Sequence, residues 1–185
     1  MYHARQHENP MVKTERIHGP LLVPVYLPGV LLGVSSQAIL ILLPLYVIEV
    51  GGSLAAASAA VGFRGLGMMA FDIPAGVLAA RVGDKRVMLL AIVLLGAAQI
   101  GYTVTRDVYV IWLVAFINGA GASSFLLGRM SYITATCPRA IRGRVISMLA
   151  GSMRAAALIG PLAGALIVEI AGYDAAFYAA TATSV

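Results

Sequence analysis

Gly76–Met88, reading GVLAARVGDKRVM, decides how this sequence folds. It joins one long apolar stretch, Ser53–Ala80, to another, Val87–Val104, through a tight turn at Gly83 that carries Arg81, Lys85 and Arg86. Apolar spans that end in clustered cations at a glycine turn are what a membrane hairpin needs on its cytoplasmic side. Working outward, three further stretches reach the roughly 20 apolar residues that cross a bilayer. These are Leu22–Val47, Val108–Thr134 and Val145–Ile170, and a sixth apolar stretch begins near Ala175. The connections EVGGS, RVGDKR, TRD, CPRAIRGR and AGYD are short, so consecutive spans must be antiparallel neighbours. The reading is an all-α membrane protein: a six-helix bundle with five complete spans and the start of a sixth, preceded by a polar tail over residues 1–20.

Composition demands the same solvent. Of 185 residues, 60% are hydrophobic and 11% charged, where a soluble domain carries about 25% charged residues. One small globule cannot hide so much apolar surface, so the lipid bilayer is the first partner. The net charge of +5 is explained by where the cations sit and implies no nucleic acid. Arg5, Lys13, Arg16, Arg81, Lys85, Arg86, Arg139, Arg142 and Arg144 fall on one side of the bundle, and Arg106 alone lies among the opposite loops. That asymmetry predicts a cytoplasmic N-terminus in a cell (inner) membrane. The tail lacks the apolar core of a secretory signal. The single cysteine, Cys137, excludes an internal disulfide.

Small residues recur at close-packing intervals: Gly29 and Gly33 in the first span, Gly62, Gly65 and Gly67 in the second, Gly119, Gly121 and Gly128 in the fourth. In lipid, where packing drives association, such residues let backbones approach. Pro44, Pro74 and Pro161 interrupt three spans and should bend or unwind them locally.

These residues resemble the major facilitator superfamily of secondary transporters. GVLAARVGDKR is similar to that family's loop between helices two and three, with Gly76, Leu78, Ala79, Arg81, Gly83 and Lys85 on matching positions and Arg86 extending the basic run. CPRAIRGR resembles its turn before helix five, and AGYDAAF its turn before helix six. Gly151–Ala165 resembles the helix-five pattern of proton-coupled drug antiporters, matching at Gly151, Gly160, Pro161 and Gly164. The resemblance implies alternating access around a midplane site, a proton gradient as energy source with no other cofactor, and a complementary C-terminal six-helix half that this chain lacks. Two departures stand out. Ala80 occupies the acidic position of the loop, with Asp84 where a base is usual, and the arginine usual early in helix four is absent before Asn118.

Charges inside the spans carry the chemistry, because a lone charge at membrane depth costs roughly 2.5 kcal/mol or more and needs a partner or a wet cavity. Arg64 and Asp72 are eight residues apart, roughly 12 Å along a helix, so each should look toward another helix. Arg129 can snorkel toward the near end or pair, and Arg154 lies deeper in its span. Asp72 is the membrane-depth carboxylate that can change charge between wet and dry surroundings. Gln37, Asn118, Arg64, Asp72 and Arg154 are the candidate cavity residues, and their positive balance points to an anionic or amphipathic small-molecule substrate. The histidines, His3, His7 and His18, all lie in the tail at irregular spacing, which suits neither an active site nor a metal site. No phosphate-binding Gly-Lys-Ser loop occurs, so ATP-driven transport and enzymatic chemistry are not expected. The expected function is secondary transport, with proton-coupled efflux preferred. Uptake of a metabolite, or a non-transporting assembly or regulatory role on the same half-fold, are the alternatives.

Overall fold

The computed structural model describes residues 19–137 and 139–184, and every regular element among them is an α-helix. The order is α1 (Gly19–Glu49), α2 (Leu54–Val82), α3 (Asp84–Val104), α4 (Val108–Thr136) and α5 (Arg139–Ser184). All five are long and apolar enough to cross a membrane. The all-α membrane bundle expected from the sequence is the fold. Residues 1–18 of the expected tail, with Arg5, Lys13 and Arg16, lie outside the described residues.

The connections are set by caps and by two glycines. Ser53 caps α2 by accepting the Ala56 N–H at 3.2 Å. Asp107 caps α4 by accepting the N–H groups of Tyr109 and Val110 at 2.8 and 3.4 Å. Such side chains satisfy N–H groups that the first helical turn leaves without partners. Between α2 and α3 only Gly83 is non-helical, at φ 90° and ψ 149°, a conformation open essentially to glycine alone. The connection RVGDKR thus shrinks to one residue. Arg81 lies in the last turn of α2, while Asp84 opens α3, each with the charge that its helix dipole favours. Gly172, at φ 82° and ψ 174°, breaks α5 in the same way. What reads as one long helix is an outgoing segment, 139–171, and a returning one, 173–184.

Contacts with α1 prove the reversal. Ala156 lies by Gly33, Gly160 by Val34 and Ala38, and Gly164 by Ala38 and Leu42, so 139–171 runs parallel to α1. Phe177 packs on Tyr46 and Thr183 hydrogen-bonds Ser35, so 173–184 runs antiparallel to it. On the other side of the bundle, α2 and α4 form a parallel pair and α3 packs antiparallel to α4. Gly67 and Gly119 face each other's helices so closely that a methyl on either would overlap a carbonyl, of Phe116 or Arg64 respectively. Near the loops opposite the basic end, Phe177 sits 5.2 Å from the Tyr46 ring and 5.1 Å from Tyr102. The Tyr46 hydroxyl lies 2.8 Å from the carbonyls of both Tyr102 and Thr105. Helix α4 is the most enclosed, whereas α2 and α5 turn most of their surface outward.

Candidate functional site

The Gly67–Gly119 crossing brings the α2 and α4 backbones together, and at that level Arg64 leaves α2. Its side chain is 8% exposed. The Arg64 Nε donates to Asn118 Oδ1 of α4 at 3.1 Å, and Nη2 donates to Ser36 Oγ of α1 at 2.8 Å. One guanidinium therefore ties three helices. It leaves α2 ten residues from Leu54, roughly 15 Å in at 1.5 Å per residue, close to the middle of a core of about 30 Å. Both partners are neutral, and among the described residues no carboxylate pairs with it. Asn118 is 1% exposed and its Nδ2 has no hydrogen-bond acceptor among these residues. Gln37, beside Ser36, is half-buried where Gly160 presses on it.

Two helical turns further along α2, Asp72 accepts a hydrogen bond from Ser123 Oγ of α4. Arg64 and Asp72 thus engage α4 separately instead of each other, as their spacing requires. The Asp72 side chain opens outward from the bundle. Around it Met69, Phe71, Ile73, Val77 and Leu78 are exposed as well, with Ala75 the buried exception. Arg154 is exposed on the outgoing part of α5 and joins neither group. Arg129 is buried and lies against Gly29 of α1, which replaces the snorkelling reading.

The loop residues gather at the basic end. Gly76, Arg81, Gly83, Lys85 and Arg86 are exposed, Asp84 is half-buried, and among the described residues Asp84 forms no ion pair. In the helix-five pattern, Gly160 and Gly164 face α1: a methyl on Gly160 would lie 2.6 Å from the Val34 carbonyl oxygen. Gly151 faces open space, and Pro161 stays within the helix. Sequence reading did not find the ion pair of Arg106 with Asp174, 3.1 Å, at the opposite end. Nor did it find the stack of Trp112 on Phe63, with centroids 5.3 Å apart. The first joins the α3–α4 connection to the returning part of α5, the second joins α2 to α4, and only the packing of the helices reveals them. Among the described residues no cluster of His, Cys, Asp or Glu could hold a metal ion.

The family description Major Facilitator Superfamily matches residues 25–185. The chain belongs to the major facilitator superfamily. No curated protein sequence matches it. Major facilitator proteins are transporters, and this multi-pass membrane chain carries a transporter's bundle. Arg64 and Asn118 offer hydrogen-bond donors at mid-depth, and Asp72 places a carboxylate within the α2 span.

Proposed function

We propose that this major facilitator chain drives a small molecule out of the cell by alternating access, in exchange for protons, with Asp72 as the proton carrier. The observation that supports this is the place of Asp72. It is an exposed carboxylate within a span, held among the described residues by a hydroxyl donor from Ser123. A group so placed gains or loses its charge as one conformation wets it and the next dries it. The outward surfaces of α2 and α5 then face a second six-helix bundle, and the substrate path runs between the two. The close crossing of Gly160 and Gly164 on α1 supports rigid-body rocking, since it makes α1 and the outgoing part of α5 move together. The helix-five resemblance supports export over uptake.

The test uses the full-length protein in proteoliposomes with an imposed proton gradient and a panel of small fluorescent substrates. A gradient should drive accumulation, and Asp72→Asn should abolish it while leaving downhill exchange. Accumulation by Asp72→Asn equal to the parent would remove Asp72 from the coupling. Ala80 at the acidic position of the loop, and the lack of an ion pair at Asp84 among the described residues, favour a second reading, a non-transporting assembly or regulatory protein. Absence of flux under every gradient, from folded protein, would establish that reading instead.

A further inference from the structure

We infer that Arg64 is the anchor of an anion site, and that the chain binds a small organic carboxylate at mid-depth between α1, α2 and α4. The inference rests on the transport reading for its physiological meaning but not for its chemistry. A guanidinium has five N–H groups. Nε–H is taken by Asn118 Oδ1 and one Nη2–H by Ser36 Oγ. That leaves the end-on edge, one Nη2–H and both Nη1–H groups, whose two parallel donors match the two oxygens of a carboxylate. The charge is nine-tenths buried, and both of its protein partners are neutral. A buried cation held by neutral groups alone carries a desolvation cost that an anion at short range offsets.

Further unused polar atoms surround the same guanidinium. The Asn118 Nδ2 is a buried donor without an acceptor, and its own Oδ1 already holds Arg64. The Tyr102 hydroxyl is buried without a hydrogen bond among the described residues and lies within electrostatic reach of Arg64. Ser36, which takes the Nη2–H, and its neighbour Gln37 are both half-buried on α1. Asp72 cannot serve as the internal counter-ion: it is two turns away and engaged by Ser123. Arg129 and Arg154 belong to other levels of the bundle, so the site has one cation and suits one carboxylate.

The test is equilibrium binding of radiolabelled benzoate, with neutral benzamide as competitor, to the full-length protein in nanodiscs of zwitterionic lipid and low chloride. Charge-assisted hydrogen bonds predict that benzoate binds about tenfold tighter than benzamide or better. Arg64→Gln should make the two probes equal. Should Arg64→Gln fail to fold, Arg64→Lys keeps the charge but loses the fork, and benzoate affinity should fall at least about threefold. Equal binding of both probes by the parent would mean that water solvates Arg64, and the inference would be wrong. Benzoate preference retained in Arg64→Gln, or Arg64→Lys indistinguishable from the parent, would overturn it too. Binding needs no proton gradient, so loss of flux with benzoate binding intact refutes the proton-coupled reading alone.

Discussion

Asn118 carries more at the residue scale than an uncharged side chain usually does. Its Oδ1 is the acceptor for Arg64 Nε in a buried setting. Asn118→Ala should therefore cost about 1–3 kcal/mol, the penalty for a buried donor left without a partner, read as a drop in thermal midpoint in detergent. Asn118→Asp puts a carboxylate beside the same cation. It should recover stability relative to Asn118→Ala and, by filling the anion's place, eliminate benzoate binding. If the aspartate variant bound benzoate as the parent does, Arg64 would not be the anchor. The ion pair of Arg106 with Asp174 is a contrasting case. Its side chains are 60% and 47% exposed, and exposed pairs contribute roughly 0–1 kcal/mol. Asp174→Ala should shift the thermal midpoint little, and a large shift would mean that the pair acts as more than a surface contact.

At the scale of elements, glycines that look alike in the sequence divide into two kinds. Gly67 and Gly119 form the α2–α4 crossing, and a side chain on either strikes the partner's backbone. Backbone cannot move aside as a flexible side chain can, so Gly119→Val should destabilise by about 1–3 kcal/mol or prevent assembly. Gly62 and Gly65, in the same helix as Gly67, face nothing within 4 Å. Gly65→Ala should be neutral or slightly stabilising, since alanine favours helix by about 1 kcal/mol over glycine. Thermal midpoints of the pair separate the two, and equal losses would contradict the crossing geometry. The sequence carried the small-residue stripe in plain view, because stripe periodicity is local. Which of its members touch a neighbour was not legible. That depends on the rotation of α2 against α4, which no single helix encodes. The same holds for Arg64, Asn118 and Ser36: their depth followed from counting along each span, but their meeting required the crossing.

For the whole molecule, apolar length and cation placement made the bundle readable from the sequence, since both are constraints that the bilayer imposes segment by segment. The single-residue break at Gly172 was less legible. AGYD looks like a short loop, yet only one backbone conformation in it departs from helix. The proposed orientation has a direct test in the native cysteine. Cys137 ends α4 at the basic end, half-buried. A membrane-impermeant maleimide should label it in inside-out vesicles and not in intact cells, while Ser53→Cys in a Cys137→Ser background should label in intact cells. The reverse pattern would invert the bundle and, with it, the direction assigned to transport.

The single-glycine joint between α2 and α3 also governs which changes in chain length the protein tolerates. With Gly83 as the whole connection, there is no slack to absorb an added or missing residue. One inserted residue carried into α3 turns that helix by about 100°, given 3.6 residues per turn. Ala91 and Leu95, which now meet Gly121 of α4, would swing toward lipid. Substitutions at exposed Arg81, Lys85 or Arg86 leave this phase untouched. Around a fixed Gly83, helix phase therefore constrains the length of this stretch whatever side chains its exposed positions carry.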